Sequence, residues 1–304
     1  MNGRSATLDP SKVLLGITPT LWWNDDFPLI DIGIPFEQCV SEMALAGYQG
    51  CSIGHKYPTD PQVLKRALDL RGLRVSEPWV STYFTINGMR EQTFATFRRQ
   101  LEFIQALGGT DIVLAELGRA VHPLPVAIFP NRPVFDDEQW SSLCHGLNGL
   151  GEMARAAGMR LCYHHHMGTG VMTRSDVDRL MAGTDPELVN LLFDTGHIAF
   201  AGDDPLALAE AHGERIRHIH LKDVRADIVA RARAEGMSFQ DAIEAGVFTV
   251  PGDGSIDFVP ILEALGRARF EGWLVVEAEQ DPAKAAPLEY ALKGRRYLQE
   301  VLGW

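Results

Sequence analysis

Short apolar runs alternate along this chain with longer stretches in which apolar residues recur every three or four positions. The runs at 13–18, 50–53, 73–80, 111–114, 159–163, 189–193, 216–221 and 273–276 have strand length. Between them the helical period returns. Phe36, Val40, Met43 and Ala44 share a face after Pro35 and stop at Gly47, and Val63, Leu64, Ala67 and Leu70 follow Pro61. Phe94, Phe97, Leu101 and Ile104 form a clear amphipathic stripe. Trp140, Leu143, Leu147, Leu150 and Met153 mark a helix from Asp136, and further helices are expected at 177–181, 206–211, 258–265 and 288–302. Eight strand–helix units imply parallel strands. They predict a single α/β domain over residues 1–304, a (β/α)8 TIM barrel, with an open doubly wound sheet as the alternative.

Two segments break the alternation. Residues 118–136 carry four prolines and no helical period, and read as a long loop over the barrel mouth. Residues 224–254 read as a second insertion, helical in its middle and ending at Pro251-Gly252-Asp253-Gly254.

Composition changes the picture chiefly by exclusion. A net charge of −12 argues against a nucleic-acid backbone or an anionic membrane as partner, since both require a basic surface. Cys39, Cys51, Cys144 and Cys162 are widely spaced without a CxxC pair, which suits reduced thiols and a cytoplasmic location. Residues 1–12 lack an apolar leader core and no run reaches membrane-spanning length, so neither signal peptide nor membrane span is expected. No GxGxxG or P-loop motif follows a strand, so a nucleotide cofactor is not indicated.

Chemistry gathers at strand ends. Tyr163-His164-His165-His166, Phe193-Asp194-Thr195-Gly196-His197, His218-Ile219-His220-Leu221-Lys222-Asp223 and Val275-Val276-Glu277-Ala278-Glu279 each close an apolar run, where a parallel barrel collects its active-site groups. Each has an ordinary structural reading. One of the three histidines points away from the other two by strand alternation, and Asp194 serves equally as a helix cap beside a satisfied His197. His218 and His220 share parity, as do Glu277 and Glu279, so one of each pair can be a hydrogen-bonded core group. Burying all of them at one barrel end is costly unless they are paired or hold a cation. Oxygen and nitrogen donors without thiolate suit a divalent metal ion, Mn2+, Co2+, Mg2+, Fe2+ or Zn2+, and the residues do not choose among them; our expectation is Mn2+ or Co2+. Lys56 and Lys222 lie just past strand ends, as a solvated surface lysine or an acid–base group would. Trp22, Trp23, Trp79 and Tyr83 are core caps or a sugar-stacking wall.

Together these motifs resemble the xylose-isomerase-like barrel superfamily and, within it, the inosose dehydratase family of inositol catabolism. The likeness runs nearly end to end. It is most specific in Tyr163-His164-His165-His166-Met167-Gly168-Thr169-Gly170, Asp194-Thr195-Gly196-His197, His220-Leu221-Lys222-Asp223 and Glu277-Ala278-Glu279-Gln280-Asp281-Pro282. The resemblance implies metal ligands at Asp194, His220 and Glu277, with His164 where the superfamily usually has glutamate and His166 competing for that place. It also implies His197 beside the substrate. Two residues depart from the pattern: Ser52, where an acidic residue is expected, and Met172, where a polar one is usual. The implied reaction is dehydration of a cyclic keto-polyol, scyllo-inosose (2-keto-myo-inositol), to a trihydroxycyclohexane-dione. Acid–base work is expected from Glu116, His197 and Lys222, and substrate contacts from Lys56, Trp79, His166 and Glu279. A sugar isomerase or epimerase using the same metal is the alternative. A DNA-repair endonuclease on this barrel is disfavoured by the charge, and a non-catalytic sugar-binding barrel is compatible with Ser52 and Met172. A small-molecule partner suffices, with room for a homo-oligomer.

Overall fold

The computed structural model describes residues 8–304; of the stretch expected to lack a leader core, 1–7 lie outside the described residues. In chain order the strands are β1 (Val13–Ile17), β2 (Gly50–Cys51), β3 (Arg74–Val75), β4 (Trp79–Thr82), β5 (Asp111–Glu116), β6 (Arg160–His164), β7 (Val189–Asp194), β8 (Ile216–Leu221), β9 (Asp223–Val224), β10 (Phe248–Thr249) and β11 (Gly272–Val276). Nine of them make one sheet in the order β3-β2-β1-β11-β8-β7-β6-β5-β4, with every neighbouring pair parallel.

The sheet closes because its two edge strands are halves of one run. β3 pairs with β2 and β4 pairs with β5, and only Ser76-Glu77-Pro78 separates them. Pro78 has no N–H to give a ladder, so the strand breaks and bends there. Pairing to the second strand persists across the break: the Ser76 N–H donates to the Cys51 carbonyl at 2.9 Å and the Ile53 N–H to the Glu77 carbonyl at 3.0 Å. The result is the expected eight-position (β/α)8 barrel. The third strand, expected as continuous over 73–80, is interrupted.

The helices are α1 (Phe36–Leu45), α2 (Pro61–Asp69), α3 (Arg90–Leu107), α4 (Ile128–Asn131), α5 (Asp137–Ala156), α6 (Arg174–Gly183), α7 (Thr195–Ala201), α8 (Pro205–His212), α9 (Ala226–Glu235), α10 (Phe239–Glu244), α11 (Phe258–Arg267) and α12 (Pro287–Leu302). Their ends follow local chemistry. Asp136 and Gln139 form a reciprocal capping box on α5, and Gly108 ends α3 at φ +79°, a backbone state glycine adopts without strain. On α3 the buried stripe of Thr93, Phe97, Leu101, Ile104 and Leu107 faces the sheet, each large apolar member contributing about 1.5–3 kcal/mol.

Both irregular segments sit over one rim. Residues 118–136 contain only the single-turn α4. Residues 224–254 contain α9, α10 and an antiparallel ribbon that pairs Phe248 with Val224. Ile128, Phe239 and Phe248 from these pieces join Phe27 and Phe200 in a second apolar core, separate from the one between sheet and helices. No helix among the described residues is long and apolar enough to cross a membrane.

Candidate metal centre

Four strand ends deliver one group each to a common point. β6 ends on His164, β7 on Asp194, β8 carries His220, and Glu277 follows β11; all four are buried. One donor atom from each lies within 4.8 Å of the others. Asp194 Oδ2 stands 3.5 Å from His164 Nε2 and 3.7 Å from His220 Nδ1, and His220 Nδ1 stands 2.7 Å from Glu277 Oε2. Donors about 2.0–2.2 Å from a common divalent ion fall within such mutual distances.

Their hydrogen bonding separates a capping carboxylate from a ligand. Asp194 accepts the His197 N–H on Oδ1 at 2.8 Å and so caps α7, while Oδ2 has no hydrogen-bond partner. The capping reading of Asp194 therefore holds for one oxygen, and the other is left without a hydrogen bond. His220 Nδ1 and Glu277 Oε2 are likewise buried without a hydrogen bond. Three buried atoms without a hydrogen bond, converging with an imidazole, make an oxygen and nitrogen donor set that fits a divalent cation.

A positive charge lies directly behind them. Lys222 Nζ is fully buried, 2.9 Å from Glu279 Oε2, 3.1 Å from Glu277 Oε2 and 3.5 Å from Asp194 Oδ2. Burial opposes its charge, but the three carboxylates prevail and raise its pKa, so it stays an ammonium. Burial likewise works against ionised Asp194, but the Lys222 ammonium and the histidines hold its carboxyl well below the usual range. Two features seat Lys222. The Thr195 hydroxyl donates to its carbonyl at 2.7 Å and accepts from its N–H at 3.0 Å. Gly196 leaves room for the stem: a Cβ there would lie 2.5 Å from Lys222 Cγ.

Above the quartet opens a cavity of about 770 Å3, counting space open to solvent. Its wall includes Trp79, His166, Glu279, Glu77, Asn24 and Asp26. Trp79 meets His164 and His166 edge-on at 5.5 and 6.0 Å between ring centres. Burial pushes the Glu279 carboxyl up to about 7 against the pull of Lys222. Asp26 is half-exposed to the cavity, yet the surrounding protein removes enough water to push its carboxyl up to about 6, helped by Asp25. His122 Nε2 is 3.6 Å from Asp26 Oδ2, and burial lowers that histidine to about 4.

Of the residues expected from sequence, Trp79, His166 and Glu279 reach the cavity wall. His197 and Lys222 lie behind it, joined at 3.0 Å. Two expectations are corrected. Glu116 does not face the cavity: its carboxylate accepts from the Thr82 hydroxyl at 2.9 Å, the Thr85 hydroxyl at 2.8 Å and the N–H groups of Phe84, Thr85 and Gly118 at 2.9, 3.2 and 3.2 Å. Those five donors leave it nothing to give a substrate. Lys56 is also drawn aside, donating to Asp31 Oδ1 at 2.7 Å and the Ile34 carbonyl at 3.1 Å. His165 points away as alternation requires, its Nε2 accepting the Asp194 N–H at 3.2 Å.

Sequence reasoning missed Glu77, Asp26 and His122. Pro78 was the signal for Glu77, since a proline inside a central strand marks a bend. Ser52 lines the cavity and Met172 is buried with its sulfur 3.4 Å from the Gly168 N–H, so only the first departure touches substrate space.

Residues 40–301 match the model of the xylose isomerase-like TIM barrel family. The inosose dehydratase of Geobacillus thermodenitrificans is 51% identical over 96% of this chain and 98% of its own. That of Lacticaseibacillus casei is 48% identical over 95% and 97%. Among solved structures, the IOLI protein with a bound zinc atom superposes with a TM-score of 0.71 at 15% identity, over 95% of this chain and 98% of that one. With a family model covering most of its length and such relatives along it, the chain belongs to the xylose isomerase-like TIM barrel family and, within it, to the family of the inosose dehydratases.

Proposed function

We propose that this chain is a metal-dependent hydro-lyase that removes water from scyllo-inosose (2-keto-myo-inositol) to leave a trihydroxycyclohexane-dione. The observation that carries the reading is the convergence of buried donors without hydrogen bonds on Asp194, His220 and Glu277, beside His164, beneath a cavity walled by Trp79, His166 and Glu279. The names of its full-length relatives support the substrate. His164, Asp194, His220 and Glu277 would hold the ion, with Mn2+ or Co2+ our assignment. A divalent cation in that position supplies Lewis-acid polarisation of a ketone and its neighbouring hydroxyl.

The protein's own groups handle the protons. Glu279, poised near neutrality at the cavity wall, accepts the proton α to the carbonyl. Lys222 steadies the carboxylates of Glu277 and Glu279 from behind, and His197 fixes its ammonium. Asp26, with no cation bonded to it and a raised pKa, donates to the departing β-hydroxyl. The hydroxyl leaves as water with the proton from Asp26, and the ring is left as an enol of the product. Ketonisation, in which the enol O–H releases a proton and ring carbon takes one up, gives the dione, and exchange with solvent returns Glu279 and Asp26 to their starting states. Trp79 and His166 supply the wall against which the ring rests. All four cysteines are free thiols, which agrees with our placing the enzyme in the cytoplasm.

The test is direct. Protein loaded with Mn2+ or Co2+ should convert scyllo-inosose to a species with dione absorbance, and a chelator should stop it. Undiminished turnover after chelation, or epimerised ketohexose with no loss of water, would overturn the assignment.

A further inference from the structure

Behind the metal quartet a line of ionisable groups continues down the inside of the barrel. His220 turns Nδ1 toward Asp194 and Glu277, and its Nε2 stands 3.2 Å from Glu77 Oε1. The second oxygen of Glu77 lies 3.2 Å from His218 Nε2, an ion-pair distance without hydrogen-bond alignment. His218 Nδ1 meets Asp111 Oδ2 at 3.0 Å. Arg160 grips Asp111 with both arms of its guanidinium, Nε at 2.6 Å and Nη2 at 3.0 Å. Glu77, His218 and Asp111 are buried, whereas the Arg160 side chain is 34% exposed at the opposite end.

We propose that Glu77, His218 and Asp111 are positioning residues for the metal ligand His220, anchored to the far end of the barrel through Arg160. This rests on the metal reading above. An imidazole that binds an ion through one nitrogen needs its other N–H held, because that bond sets both tautomer and ring angle. Glu77 Oε1 holds it. Glu77 itself comes from the strand break at Ser76-Glu77-Pro78, where no ladder fixes its backbone on both sides. Its carboxylate is therefore kept in place by its side-chain partners, and His218 is the second of them. Strand parity puts His218 and His220 on the same face of β8, so a single strand carries both the ligand and the group that braces the ligand's holder. Carboxylate, imidazole, carboxylate and guanidinium then alternate, and removing any one takes a partner from each of its neighbours. An apolar residue at 218 would fill the barrel equally well but leave Glu77 free to swing from His220.

The experiment measures Co2+ binding to apo protein by chelator competition and follows the visible Co2+ spectrum, which reports ligand geometry independently of turnover. Wild type is expected to bind one ion per chain. Glu77→Gln should weaken affinity about 10–100-fold, and His218→Gln and Asp111→Asn about 3–30-fold, each with a shifted spectrum. His218→Gln should add little in a Glu77→Gln background. If His218→Gln does not fold, Arg160→Gln, altered at the partly exposed end, carries the test with an expected loss of about 2–5-fold. Wild-type affinity and spectrum in these variants, with only a lower apo melting temperature, would reduce the line to a structural feature and overturn the proposal. Two ions per chain, the second lost in His218→Gln, would make Glu77, His218 and His220 a metal site instead and also overturn it. A wild type that binds no Co2+ removes the metal reading, and this inference with it.

Discussion

Glu116 and Glu277 both stand at the ends of barrel strands and both are buried, yet the protein treats them oppositely. Glu116 receives five hydrogen bonds from the last residue of β4, from the loop after it and from Gly118, which ties two loops to one carboxylate. Glu277 Oε2 receives none, although His220 Nδ1 and Lys222 Nζ press against it. A saturated carboxylate is part of the scaffold, whereas one that takes no hydrogen bond and faces a cavity is the kind we propose as a ligand. Asp26 shows a third accommodation: with few donors and no ion to serve, it keeps its proton to a higher pH.

The sharpest way to break this contrast is to substitute each glutamate conservatively. Glu277→Gln should abolish stoichiometric metal uptake, measured by elemental analysis, and cut kcat/KM by about 10^3-fold or more, the scale of removing a principal electrostatic stabiliser. Retained metal and activity would end the distinction. Glu279→Gln should leave metal content intact and lower kcat about 100-fold, the contribution expected of a positioned base; loss of solvent deuterium exchange at the α-carbon would identify which proton it moves.

Glu116→Gln should instead leave metal affinity and kcat near wild type while lowering unfolding free energy by about 1–3 kcal/mol in denaturant titrations. Metal removal separates the two again. Saturating Mn2+ should raise the melting temperature of wild type and of Glu116→Gln by about 5 °C, an increment absent from Glu277→Gln.

The smallest effect on stability belongs to Asp26. Its folded pKa of about 6 lies above its unfolded value, so folding favours the protonated form. Stability from this group is full below the unfolded pKa and lost as pH rises through about 6. Asp26→Asn should therefore gain stability relative to wild type between pH 4 and 6, level off above that, and lose activity throughout. A difference that shrinks over that interval would contradict the assignment.

How much of this was readable beforehand follows from distance along the chain. The eight-unit barrel was legible because strand and helix periods are local, and Asp194, His220 and Glu277 were legible because strand ends in such a barrel share one rim. Glu116 occupied the same kind of position, and nothing local marks it as different. Its donors come from Thr82, Phe84 and Thr85 on the preceding strand and loop, and only the folded register brings them near. Glu77 was hidden inside a run of strand length whose interruption depends on one proline. Asp26 lay in an aromatic loop, Trp22-Trp23-Asn24-Asp25-Asp26, whose rings drew attention away from its carboxylate. Lys56 was misplaced for a similar reason, because Asp31 and the Ile34 carbonyl claim it from a loop whose path no periodicity describes.

The bare Cα of Gly196 has a reach beyond its own turn. Because the Lys222 stem lies in the space a methyl group would need, bulk at that residue governs where a cation rests relative to Glu279. A mutation that adds one carbon and two hydrogens, and alters no charge, would register in a titration curve.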